Sequence, residues 1–213
     1  MESEHLAVMM REVAARWGER PALRYKDPAT GAWQEISWTG LGEQVQAAAK
    51  GLVELGVAEG EKVGIFAPNR PEWAISDYGA QFIRAVSVPI YATNSASQAK
   101  YLVDDAEIKV LFVGEQGHYD KVKSFITSYP TPPKVVVFDG RTRLEEDDLY
   151  FQDFLEIGRQ SVADGEVEAR LRRASKKDVA TLIYTSGTTG DPQGGDADPC
   201  QLLPPDQHGA QDY

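Results

Sequence analysis

Short apolar runs at residues 62–67, 86–91, 109–113, 134–138 and 180–184 alternate with longer stretches whose apolar residues recur at helical spacing. Runs this short, rich in Val and Ile and bounded by turn residues, are the pattern of strands buried on both faces. Strands separated by helices are joined by crossovers, and crossovers make neighbouring strands parallel. The expectation is an α/β fold, a mixed or parallel sheet flanked by helices.

The residues before this alternation read differently. Leu6, Met9, Met10, Val13, Ala14 and Trp17 share one face of a helix that Gly18 can terminate. Residues 21–26 then alternate like a strand, 27–31 form a turn and 33–38 return as a hairpin partner, with Trp33 and Trp38 expected in core or cross-strand packing. A second helix places Leu41, Val45, Ala48, Ala49, Leu52 and Leu55 on one face, ended by Gly56.

Composition narrows the function classes. With 213 residues and 42% hydrophobic content, the chain can bury a substantial core. A net charge of −11, with no basic run longer than Arg172-Arg173 or Lys176-Lys177, argues against nucleic acid as a partner. Cys200 is the single cysteine, so neither an internal disulfide nor a cysteine-built zinc site is expected. No 18-residue apolar run is present and the acidic start lacks a signal-peptide pattern. These features point to the cytoplasm and leave a peripheral membrane contact open, and no protein partner is inferred. The acidic run 145–148 is read as a solvated loop rather than a metal site, because adjacent carboxylates cannot converge on one ion from a regular element. His5, His118 and the cations Arg170, Arg172, Arg173, Lys176 and Lys177 are expected on the surface.

The last apolar run leads into Thr185, Ser186, Gly187, Thr188, Thr189 and Gly190. Glycines let successive backbone N–H groups turn towards one anion, and hydroxyls add donors, so the loop reads as a phosphate cradle. It is not a P-loop, because no Gly-Lys-Ser/Thr follows at the required spacing.

Tyr184-Thr185-Ser186-Gly187-Thr188-Thr189-Gly190-Asp191-Pro192 resembles the phosphate-binding signature of the AMP-forming adenylate-forming enzymes, which include acyl- and aryl-CoA synthetases, peptide-synthetase adenylation domains and luciferases. The segment 82–91, with its Arg84-Ala85 and Val88-Pro89, resembles a segment of the acyl-CoA synthetases, and Asn69-Arg70-Pro71-Glu72-Trp73 resembles the long-chain fatty-acyl members specifically. Val86 stands where glycine is usual. The resemblance implies a fatty acid–CoA ligase. ATP and a fatty acid would form an acyl-adenylate and pyrophosphate, CoA would then displace AMP, and Mg²⁺ would assist. It also implies that residues 185–190 hold the β- and γ-phosphates, with Thr188 and Thr189 as the main hydroxyl donors. The catalytic residues, the adenine and ribose contacts and the magnesium ligand of such enzymes lie beyond this chain, so the chain alone is expected to be inactive. Another adenylate-former, or a noncatalytic nucleotide-binding remnant, are the alternatives.

The signature continues Pro-Lys-Gly in that family, whereas Gln193 occupies the lysine position here. Residues 1–192 are read as a partial N-terminal domain and 193–213 as an aberrant, disordered tail. One choice of synonymous codons for residues 192–209, shortened by one base after the Pro192 codon, encodes PKGVMLTHANFFHQINT, the family's continuation; a genuinely divergent disordered tail is the alternative. The tail is therefore read as a frameshift, and Cys200 and His208 as its by-products.

Overall fold

The computed structural model describes residues 5–27, 30–186 and 192–197. The chain opens with helix α1 (Leu6–Trp17), followed by the antiparallel hairpin β1 (Pro21–Lys26) and β2 (Trp33–Ser37) and by helix α2 (Trp38–Glu54). The expected alternation follows: β3 (Lys62–Phe66), α3 (Pro71–Phe82), β4 (Val86–Ile90), α4 (Ala96–Asp105), β5 (Ile108–Val113), α5 (Gln116–Ile126) and β6 (Lys134–Val137). Then come β7 (Leu149–Tyr150), α6 (Phe151–Gln160), α7 (Asp164–Arg172), β8 (Thr181–Ser186) and β9 (Pro192–Ala197). The sequence pattern carries neither α7 nor a strand at β9. Residues 198–213 lie outside the described residues.

The main sheet has the order β7-β6-β5-β3-β4-β8-β9, parallel throughout except at β8/β9. From β3 the chain moves to β4 on one side, and β5 then joins β3 on the other, so the order reverses between β3 and β5. The core divides by face. Val63, Ile65, Phe112 and Val136 pack with α1, α2, α3 and α6, while Phe66, Val88, Leu111 and Val137 pack with α4 and α5.

Helices α2 and α6 approach closely because glycines meet at their crossing. A Cβ at Gly158 would fall 1.8 Å from the Ala47 carbonyl oxygen, and one at Gly51 would strike the Phe154 ring. Phe154 in turn packs edge-on against Phe112, centroids 5.3 Å apart, in a cluster with Phe138 and Phe151. Residues 151–172 thus close the face opened by the first helices, an arrangement fixed further by Lys50 donating to Ser161 O at 3.0 Å and pairing with Asp164.

Several surface expectations are corrected. Trp33 is 71% exposed beside its cross-strand neighbour Lys26, so it is not a core residue, whereas Trp38 is half-buried against the core. His5 and His118 are buried, at 3% and 8% exposure. His5 caps α1, its Nδ1 accepting from Ala7 N at 3.2 Å. Arg170 is partly buried, donating to Val57 O and Glu166, whereas Arg172, Arg173, Lys176 and Lys177 are exposed as expected, Arg173 also pairing with Glu59. In the acidic run, Glu145, Glu146 and Asp147 are exposed, but Asp148 accepts from Tyr119 Oη at 2.6 Å and pairs with Lys123. Burial and that carboxylate push the Tyr119 phenol up to about 12.

Gly158→Ala should lower stability by about 2–3 kcal/mol in urea denaturation, since the backbone of α2 must move to admit the methyl. A pH effect is expected at His5. Burial lowers the His5 pKa, with Asp178 opposing and Arg84 reinforcing the shift. The folded chain therefore resists a proton that the unfolded chain accepts, and stability falls as pH drops below the ordinary 6.5 towards the folded pKa. His5→Asn offers Oδ1 as a capping acceptor in place of Nδ1 and does not titrate, so the loss of thermal midpoint between about pH 7.5 and about pH 5.5 should be smaller in that variant.

Candidate functional site

Strand β8 delivers Thr185 and Ser186 to the carboxyl edge of the parallel sheet, and side chains hold it there. Its ladder to β4 consists of the pair Ser87↔Thr181 among the described residues. Around that pair, Ser87 N donates to Ala180 O at 3.1 Å, Gln81 Nε2 to the same carbonyl at 2.6 Å, and Thr181 Oγ1 to Ser87 O at 3.0 Å. Just upstream, Arg84 grips Asp178 through two bonds, Nε to Oδ2 at 2.7 Å and Nη2 to Oδ1 at 2.9 Å. The guanidinium holds the Asp178 carboxyl below its ordinary value, and Asp178 in turn raises the Arg84 pKa. Arg84 adopts φ 58°, a left-handed conformation that costs a non-glycine residue about 1–2 kcal/mol. The bidentate pair offsets that strain. At the other end, Tyr184 Oη donates to Asp105 Oδ2 at 2.6 Å.

On its free side β8 pairs antiparallel with β9 over its whole length, so Thr185 lies opposite Gln193 and Ser186 opposite Pro192. Residues 187–191 connect these two ends. Of the loop residues singled out in the sequence, Thr185 is exposed at the end of β8 and Ser186 closes the strand. Gly187, Thr188, Thr189 and Gly190 lie outside the described residues.

Parallel alignment of β3, β4, β5 and β8 puts the connections after these strands along one edge, where ligands of open α/β sheets bind. Two features border that edge. The segment between β4 and α4 is held by α5, with His118 Nε2 bonding Ala92 O at 3.1 Å and Lys121 Nζ donating to Asn94 O at 2.8 Å. Burial lowers the His118 pKa, and because the Ala92 carbonyl oxygen can only accept, Nε2 is the donor in this bond. Where the strand order reverses, a crevice of about 620 Å³ opens between β1 and the residues after β3, lined by Tyr25, Lys26, Asn69 and Arg70. Arg70 is committed to Glu72 through two bonds and stacks over Phe138 at 5.4 Å. A second crevice of about 460 Å³, around Arg84 and Asp178, lies at the opposite, amino end of β3, β4 and β8 and borders neither Thr185 nor Ser186.

The sequence reading located Thr185 and Ser186 but not the groups that seat them. Asp105, Gln81 and Arg84 act on β8 or on Asp178 just upstream of it from elsewhere in the chain, separations at which periodicity is silent. Arg84 alone lay in a segment singled out from sequence.

The AMP-binding enzyme model of protein families matches residues 10–194. The chain belongs to that family. Its relatives include a long-chain-fatty-acid–CoA ligase, FadD15, of Mycobacterium bovis, 39% identical over 178 residues that make up 84% of this chain and 28% of that protein. The human long-chain-fatty-acid–CoA ligase ACSBG2 is 35% identical over 185 residues, 86% of this chain and 27% of that protein. The anthranilate CoA ligase AuaEII, solved in complex with anthranoyl-AMP, superposes with a TM-score of 0.74 at 23% identity, covering 89% of this chain and 34% of that one. The last likeness shows the fold: an α/β adenylate-forming architecture of which this chain spans about a third. It spans little more than a quarter of the curated relatives it matches.

Arg84→Met keeps the strained backbone and removes the charge, leaving the largely buried Asp178 carboxylate with less compensation. It should cost about 2–3 kcal/mol at neutral pH in denaturant titrations. Because the Asp178 pKa is depressed in the folded chain, the pair's contribution is present above the ordinary 3.8 and is lost as pH falls through the depressed value. The stability gap between the two proteins should therefore narrow as the solution is acidified below that point.

Proposed function

We propose that this chain is the phosphate-binding portion of an AMP-forming fatty acid–CoA ligase, with a long-chain fatty acid as the acyl substrate. The supporting observation is that β8, locked into the parallel sheet, ends in the first residues of the Thr185–Gly190 signature on the sheet's ligand-binding edge. Identity to the long-chain ligases of Mycobacterium bovis and Homo sapiens favours a fatty acid over an aryl acid.

In this reading ATP lies with its β- and γ-phosphates against the loop. The hydroxyls of Thr185, Ser186, Thr188 and Thr189 and the backbone N–H groups of Gly187 and Gly190 donate to the phosphate oxygens. The fatty-acid carboxylate attacks the α-phosphate, and these donors stabilise the negative charge that collects on departing pyrophosphate. CoA thiol then displaces AMP from the acyl-adenylate. Magnesium, when bound, would neutralise phosphate charge. Among the described residues no group of three or more His, Cys, Asp or Glu side chains could hold a metal ion, so no step here is assigned to one. No described helix is long and apolar enough to cross a membrane.

Gln193 stands where a lysine would bring a positive charge to the phosphates. Its neutral amide offers a bond about half as strong as a charge-assisted one. We attribute the substitution and the residues after it to a shifted reading frame, which sequencing of the gene across the Pro192 codon tests directly: an unshifted frame ending after Tyr213 would overturn it.

The nucleotide reading is tested by titration calorimetry of ATP against the 213-residue chain. Binding is expected to weaken several-fold in Thr188→Ala and to tighten about tenfold in Gln193→Lys, the gain of one charge-assisted bond. Absence of binding in both the parent chain and Gln193→Lys would overturn the assignment. The isolated chain is expected to form no acyl-CoA, and sustained thioester formation would show that the catalytic groups lie within it.

A further inference from the structure

We propose that Asp105 is a positioning residue for the phosphate loop, acting through the Tyr184 hydroxyl on the end of β8. This rests on the phosphate-binding reading of residues 185–190. It adds a residue from α4 that the signature does not contain.

The geometry has three parts. Tyr184 immediately precedes Thr185 and is 4% exposed, its ring standing edge-on to Tyr101 with centroids 6.4 Å apart. Its hydroxyl donates to Asp105 Oδ2 at 2.6 Å, a short bond to a carboxylate. Burial and that carboxylate both raise the phenol pKa, so the group remains a donor across the physiological range. The strand it belongs to has little ladder towards β4, and the side-chain bonds from Gln81, Thr181 and Arg84 all act at or before Thr181. Tyr184 is therefore the described side chain that ties the loop-proximal end of β8 back to the body of the sheet.

Asp105 is poorly placed for any purpose internal to its helix. It is the last residue of α4, where the exposed carbonyls make a carboxylate unfavourable. The neighbouring Asp104 takes the intrahelical partner, Lys100, and also accepts from Tyr129. The bond from Tyr184 gives the second carboxylate a compensating role. Because α4 begins directly after the segment pinned by His118 and Lys121, the helix that carries Asp105 starts at the ligand edge.

The test compares Tyr184→Phe, Asp105→Ala and Asp105→Asn in the full chain. Hydrogen exchange is read at the amides of residues 184–186, ATP affinity by calorimetry, and global stability by urea. Tyr184→Phe and Asp105→Ala should speed exchange at Thr185 and Ser186 by about tenfold or more, the weight of one bond to a charged group. Affinity for ATP should fall by a similar factor, while β3 and β5 exchange as before. Asp105→Asn keeps an acceptor and should recover most of both losses. Unchanged exchange at Thr185 and Ser186, or a rise shared by the whole sheet, would overturn the proposal. If the parent chain binds no ATP, the nucleotide reading falls separately and exchange alone decides the role of Asp105. Should Tyr184→Phe fail to fold, the contrast between alanine and asparagine at exposed Asp105 decides the same question.

Discussion

The attachment of β8 to the sheet is the constraint on which the candidate site depends. A central parallel strand ordinarily owes its place to its ladder, yet the β4/β8 junction relies on side chains: Arg84 on Asp178, Gln81 on the Ala180 carbonyl, Thr181 on the Ser87 carbonyl and Tyr184 on Asp105. Side-chain bonds are directional and individually modest, so placement of the strand is divided among α3, β4 and α4. That division lets each element set a different part of the strand. It also explains why a non-glycine residue is tolerated in left-handed backbone at Arg84, where the gain lies in the guanidinium's reach rather than in the turn.

Much of the fold was legible in the sequence because it rests on local periodicity. Val and Ile runs announced β3, β4, β5 and β6, and helical spacing announced α1 to α6. What was illegible followed from contacts between distant residues. Trp33 looks like a core side chain by type, but it stands exposed beside its cross-strand neighbour Lys26. His5 looks like a surface residue until α1 begins directly after it and Asp178 arrives 3.8 Å from its Nε2. The charged character of residues 164–172 hid α7, whose Val167 and Leu171 suffice to bury one narrow stripe.

The site divides in the same way. A signature of glycines and hydroxyls can be read from letters because its chemistry is local to consecutive residues. The supports cannot, because nothing in a lone aspartate at the end of α4 specifies which hydroxyl will find it. Membership in the AMP-binding enzyme family accounts for the signature, and the structure adds the means by which its first residues are held.

The glycine-mediated contact of α2 with α6 bears on how the chain acquires its fold during synthesis. Ala47 and Gly51 leave the ribosome long before Gly158, yet the apolar face they belong to is covered only when residues 151–172 fold back upon it. Until then α2 presents Ala47 and Gly51 to the surroundings, a window in which a nascent chain attracts chaperones or its own copies. The N-terminal helices are thus made first and finished late.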